Sequence, residues 1–235
     1  MVSNGSFSKL CAPGIRTGWT ESTPDFAAAV GATGSSGSGG APSQTTATAV
    51  HRLLVSGRLD HHVRHVLRPA YRRRHALLLD AVRRLVVPLG GRVREGGSLP
   101  PSPSPHGSAS GDAEAEALQV YGGFFLWITF AETTTAVTVD GGQPAKVPPA
   151  RAIAARCLAE ESLVVGAGHF FEVHGDEAAV GLDREIRLCF AWEDEADLVE
   201  GVERLARVLR RMIDEGESGW ASEEGAGETD VGALK

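Results

Sequence analysis

Cysteine, methionine and tyrosine are scarce in this sequence, and it has no long apolar run. The three cysteines, Cys11, Cys157 and Cys189, are odd in number and lie in no metal-ligand spacing. That speaks against a disulfide-stapled scaffold and for free thiols in a reducing compartment, so a cytoplasmic location is expected. No segment approaches the roughly 18 apolar residues that a membrane span requires. Met1 to Gly5 has neither the basic start nor the apolar stretch of a secretory signal. Excess positive charge is also lacking. The formal net charge is -7, which argues against a nucleic-acid partner. What remains is ordinary globular composition, 42% hydrophobic and 23% charged over 235 residues, enough for one or two cores.

Glycine and proline are abundant but unevenly spread. Glycines crowd Gly31 to Gly40, prolines crowd Pro100 to Pro105, and glycines return after Gly216. Residues 96–119 are rich in Ser, Pro and Gly and end in an acidic stretch, so a disordered surface insertion is expected there. A polar tail that frays is expected from 216 to 235.

Between these stretches the periodicity is readable. Ile15 to Thr20 reads as a short strand. Pro24 to Val30 reads as a helix with Thr23 at its N-cap, and residues 44–55 as another. Leu59 to Val86 is a long helical stretch that Pro69 should kink or split. Arg92 to Glu95 is a candidate strand, and Gly122 to Phe130 is the strongest one. Pro148 to Glu161 reads as a helix. Leu163 to Val165, His169 to Val173 and Ile186 to Trp192 read as three further strands. Asp194 to Asp214 is an amphipathic helix with a stripe of Leu198, Val202, Leu205, Val208, Leu209 and Met212. Its acidic start and its Arg210-Arg211 end suit the helix dipole.

Two constellations can carry chemistry. The first is Ser6-Phe7-Ser8-Lys9 followed by Ala12 to Trp19. Two hydroxyls and the Arg16 guanidinium suit a phosphate, and a lysine amine beside them suits a Schiff base to an aldehyde. On residue types alone the loop reads more readily as a polar turn with a solvated lysine. The second is Glu185 to Ala191. Arg187 lies in the middle of a mostly apolar strand, which is costly without a partner, and its planar fork suits a carboxylate. A strand-edge arginine with its head in water is the plainer alternative. His61, His62 and His65 lie at helical spacing, but no carboxylate or cysteine completes a metal site, so no metal is expected.

The first constellation closely resembles the cofactor-lysine region of the class I/II aminotransferases, within fold type I of the pyridoxal-phosphate (PLP) enzymes. It looks most like their aromatic and 2-aminoadipate aminotransferase branch. In that family the lysine of SFSK holds PLP covalently. The serine three before it and the arginine seven after it bind the phosphate. The resemblance therefore implies that Lys9 is the catalytic, PLP-bound lysine, with Ser6 and Arg16, and more weakly Ser8, on the phosphate. Further likeness runs through Ser38 to Ser43, Gly57 to Asp60, Tyr71 to Arg74, Gly122 to Ile128 and Gly166 to Phe170. The family's arginine for the substrate α-carboxylate falls on Arg187.

The fold so implied is α/β, a partial PLP-dependent transferase of fold type I. Residues 1–56 would be a remnant of the large, PLP-binding domain and 57–87 a bridging helix. Residues 88–215 would be the α+β C-terminal small domain. The implied function is transamination through a Lys9 Schiff base, with an amino acid and a 2-oxo acid as small-molecule partners. No membrane partner is expected, and the intact enzyme would be a homodimer. The resemblance starts at the cofactor lysine. It leaves out the family's pyridine-nitrogen aspartate, ring-stacking aromatic and glycine-rich phosphate loop, so a truncated and inactive polypeptide is expected. A PLP-dependent β-lyase, a PLP-sensing regulator domain or a non-catalytic remnant would keep the same lysine motif.

Overall fold

The computed structural model describes residues 2–37, 43–93, 123–139, 142–172, 175 and 181–220. The expected insertion at 96–119, most of the Ser38 to Ser43 turn and residues 221–235 lie outside them. Two compact units divide the chain, Met1–Arg73 and Arg74–Lys235.

The first unit opens with a hairpin. Strand β1 (Ser3–Ser6) pairs antiparallel with β2 (Gly18–Glu21), from Ser3 opposite Glu21 to Ser6 opposite Gly18. The strand expected from Ile15 to Thr20 therefore starts later. Pro13–Ile15 instead forms one 3-10 turn, and Arg16 adopts the left-handed conformation at φ 47°. Helix α1 (Pro24–Gly31) begins on its proline as expected, although Thr23 makes no side-chain cap. A single turn, α2 (Gly34–Gly37), follows. Helix α3 (Gln44–Val55) is capped by Ser43, whose Oγ accepts from the Thr46 N–H.

The long helical stretch is broken where proline demands it. Helix α4 (Arg58–His62) leads into a π-turn over Val63–Leu67, and α5 (Arg68–Leu85) resumes after it. Pro69 lacks an N–H and its ring crowds the preceding turn. The helix widens just before it, and the Arg68 N–H reaches back five residues to the Val63 carbonyl. Pro88 and Gly90, at φ 97°, end the stretch.

The second unit is built on a four-stranded antiparallel sheet in the order β3 (Gly91–Val93), β4 (Phe125–Phe130), β8 (Glu185–Cys189), β7 (Gly166–Ala167). Alternation along β4 buries Leu126, Ile128 and Phe130 and leaves Phe125, Trp127 and Thr129 half-buried on the other face. Helix α6 (Ala150–Glu161) and helix α7 (Glu195–Glu215) pack together on this unit, and the whole expected stripe of α7 is buried. Arg211 is paired with Glu160 and Glu161 of α6 rather than left to the helix end.

Some expectations fail in this unit. The strand expected over His169–Val173 is absent from its described part, 169–172: Gly168–Phe171 forms a 3-10 turn. Leu163–Val165 is irregular, and pairing starts one residue later at Gly166. A second hairpin, β5 (Thr133–Val139) with β6 (Gln143–Lys146), was not anticipated. Its signal was present in the threonine-rich run followed by Asp140-Gly141-Gly142. The chain also stays ordered past Gly216. Helix α8 (Glu217–Trp220) buries Trp220, held by Arg156 on the Gly219 carbonyl and by Lys146 on Glu217.

Arg184 ties the sheet to the loops around it. Its guanidinium donates to the carbonyls of Phe130, Ala131 and Val147. Charge-assisted bonds to backbone are strong, and half-buried carbonyls left without a donor are costly. Arg184→Met should lower the stability of this unit by about 3 kcal/mol, read as an earlier urea midpoint with an unchanged slope. An unchanged midpoint would show that the three bonds are replaced by water at no cost.

Candidate functional site

The expected site residues fall in two places, one in each unit. In the first unit, Ser6 ends β1 and the Phe7 N–H bonds the Thr17 carbonyl at 3.0 Å, closing the hairpin. Residues 8–16 are the loop beyond it, so Ser8, Lys9 and Arg16 share one loop with Ser6 at its base. Lys9 lies in a single turn in which the Leu10 and Cys11 N–H groups both bond the Phe7 carbonyl, at 3.0 and 2.8 Å. Close packing holds the base of the loop. Trp19 lies against Phe7, ring centroids 4.8 Å apart, and directly over Gly5, where a Cβ would come within 2.2 Å of the indole. Only glycine fits there.

The polar groups of the loop are poised rather than consumed. Ser6 Oγ accepts the Ser8 N–H at 3.1 Å and donates to Ser8 Oγ at 3.0 Å, so the two hydroxyls lie side by side. Arg16 is exposed and makes one long bond, 3.4 Å, to the Pro13 carbonyl. Its left-handed backbone costs of order 1–3 kcal/mol for a residue with a Cβ. Such strain marks a position held by its surroundings. Lys9 is half-buried, and among the described residues its amine has no hydrogen-bond or ion-pair partner. Two adjacent hydroxyls, an exposed guanidinium and an unpaired amine on one short loop match the chemistry of an aldehyde that carries a phosphate dianion. These residues fit PLP.

The sequence did not point to Tyr71 as a site residue. Its hydroxyl donates to the Lys9 carbonyl at 3.0 Å and so ties the lysine turn to α5. Thr17, buried, likewise links the loop to α3 through Thr46 at 3.2 Å. Both bonds span long stretches of sequence, where spacing gives no signal. Tyr71→Phe should cost about 1 kcal/mol and raise hydrogen exchange at the Leu10 and Cys11 amides. Exchange that stays at the wild-type rate would show that the turn holds without this tie.

In the second unit, Arg187 sits on β8 with Trp127 opposite it on β4 and Gly166 opposite it on β7. Its guanidinium carbon lies 3.9 Å from the Phe125 ring centroid and 3.8 Å from that of Phe171. Trp127 meets Phe171 edge-on at 5.4 Å. Desolvation there lowers the guanidinium pKa, and Cys189 on the same face opposes this. Arginine stays cationic regardless. Among the described residues no carboxylate pairs with it. Of the cysteines, Cys157 is fully buried and its thiol is pushed up to about 12, chiefly by desolvation, so it is chemically inert. His61 and His65 stack on each other, and no metal-binding group of side chains occurs among the described residues.

No family model matches the chain. A curated protein of Saccharomyces cerevisiae described as uncharacterized is 28% identical over 211 residues, covering 89% of this chain and 38% of that protein. The chain thus spans about two fifths of the curated relative it matches. Among solved structures, it is similar to the α-aminoadipate aminotransferase LysN of Thermus thermophilus, whose structure holds N-(5'-phosphopyridoxyl)-L-leucine. That match has a TM-score of 0.55 and 24% identity and covers 89% of this chain and 42% of that one. It is also similar to a kynurenine aminotransferase of Pyrococcus horikoshii, with a TM-score of 0.60 and 22% identity, covering 89% of this chain and 40% of that one. With about two fifths of these enzymes matched over 89% of its length, the chain has part of the fold-type I architecture of the PLP-dependent aminotransferases.

Proposed function

We propose that this chain is the part of a PLP-dependent transaminase that carries the cofactor lysine and the substrate-carboxylate arginine. The observation that carries the reading is the loop of residues 6–16. It holds a half-buried lysine amine without a partner among the described residues, two neighbouring hydroxyls and a strained, exposed arginine on a tightly packed hairpin. PLP, when bound, supplies an aldehyde for the amine and an electron-withdrawing ring.

The roles then follow from the chemistry of each group. Ser6, Ser8 and Arg16 bind the phosphate of the cofactor through hydroxyl and guanidinium donors. Lys9 Nζ is the attachment point, and when free it is the base that holds the proton removed from the substrate Cα. Arg187 takes the substrate α-carboxylate through its in-plane N–H donors, with the Phe125 and Phe171 rings packed against its guanidinium. The substrates are an amino acid and a 2-oxo acid, and the complete enzyme is a cytoplasmic homodimer.

The sequence offers an unusually clean test of the lysine, because it contains only Lys9, Lys146 and Lys235. Lys146 is paired with Glu217. Incubation with PLP followed by borohydride should place the phosphopyridoxyl group on Lys9 in preference to the other two, as read by peptide mapping. Lys9→Ala should abolish that label. Label spread equally over the three lysines would sink the assignment.

Catalysis makes a further demand. The ring of PLP withdraws electrons far more strongly when its pyridine nitrogen is kept protonated, and no motif matched in residues 1–235 supplies that partner. The polypeptide 1–235 by itself should therefore show no steady transamination of amino acids with 2-oxoglutarate. Turnover by this polypeptide, freed of contaminating enzyme, would contradict the expectation.

A further inference from the structure

The surroundings of Arg187 are more built than a carboxylate clamp alone requires. Residues directly opposite one another in antiparallel strands share a face. Trp127, Arg187 and Gly166 therefore form one row across β4, β8 and β7. The rings of Phe125, from β4, and Phe171, from the 3-10 turn after β7, both lie under the Arg187 guanidinium, 3.9 and 3.8 Å from its central carbon. The missing side chain at Gly166 matters here. A Cβ on it would come within 3.3 Å of both the Arg187 carbonyl oxygen and the Phe171 ring, tighter than ordinary contact, so Phe171 occupies part of the space Gly166 leaves. Trp127 then meets Phe171 edge-on.

A guanidinium has all its donors in its own plane. Left alone on a half-exposed strand, it rotates about its last bonds and loses entropy when it takes a carboxylate. Rings stacked on its faces remove that freedom beforehand and add a cation–π attraction. They also deny the faces to water and to other groups, while the edge keeps its N–H donors open.

We propose that Phe125 and Phe171 are positioning residues that fix the plane of Arg187 and present only its edge to a carboxylate, and that Gly166 is the opening that admits Phe171. The assignment rests on the reading of Arg187 as the carboxylate clamp. Neither ring touches the reacting atoms. Both act through the arginine.

The test uses the whole chain with 2-oxoglutarate as the probe and the Arg187 Nε–Hε resonance as the reporter. In the wild type that proton should be shifted upfield of the other arginines by the two ring currents, and it should move when 2-oxoglutarate is added. Phe125→Leu combined with Phe171→Leu should abolish the upfield shift and weaken the probe by about tenfold. Phe171→Tyr should keep both. Gly166→Ala, which leaves Arg187 and both phenylalanines in place, should reduce the upfield shift and the affinity together. Backbone amide signals of β4 and β8 report whether each variant keeps its sheet.

An ordinary Arg187 resonance in the wild type would overturn the inference without touching the clamp. So would wild-type affinity in the double leucine variant, or equal loss in the tyrosine and leucine variants. An upfield resonance that 2-oxoglutarate never moves would overturn the reading of Arg187 itself, and with it the role given to the rings.

Discussion

Strand β8 pairs on both edges, with β4 on one side and β7 on the other, and its register sets the rest of the second unit. The side-chain period of a strand is two. With Ile186 in the core beside Ile128, Arg187 must face away from it, on the side where Phe125 and Trp127 lie. A slip of one residue would drive the guanidinium into the apolar core, where an unpaired charge is very costly, and would expose Ile186. The core therefore enforces the placement of the arginine.

The same strand is anchored at its start. Arg184, just before β8, bonds the carbonyls at the end of β4 and before α6. Glu185 is buried and takes the Thr129 hydroxyl at 3.3 Å, from the residue opposite it on β4. Polar groups thus pin the register from one end while apolar side chains pin it along its length. Behind the sheet, α7 buries its whole apolar stripe, and the Arg207 and Arg211 bonds to Glu161 tie it to α6. The Glu161 carboxyl is held below its usual pKa, first by the hydrogen bond from Arg207. The two arginines are each about half exposed to water, so these pairs orient the two helices more than they stabilise them.

The first unit solves a different problem. Its loop gathers polar residues that would by preference be solvated, and the unit has few buried apolar side chains of its own. Order comes from backbone bonds that gather around the Phe7 carbonyl, from Trp19 on Gly5, and from Tyr71 and Thr17 reaching to helices. The result holds Arg16 in a strained conformation that a free loop would leave.

By itself the sequence determined much of this. The stripe of α7, the break before Pro69, the helix start at Pro24 and strand β4 all follow from periodicity and from the missing proline N–H, whereas the helix expected from Pro148 begins two residues later, at Ala150. The lysine motif and the arginine of β8 stood out only through their resemblance to a family pattern, since residue types alone favour solvated side chains at both places. Local pattern could not decide the short pairings. Gly166–Ala167 is a strand only because β8 supplies its partner, and Gly168–Phe171 turns away from the extended form its aromatics suggest so that Phe171 can cover Arg187. Trp220 is buried because Arg156 and Lys146 hold the short helix that bears it. Phe125, Phe171, Gly166 and Tyr71 gained their roles the same way. Each acts on a residue far off in sequence, and such contacts exist only after the chain has closed on itself.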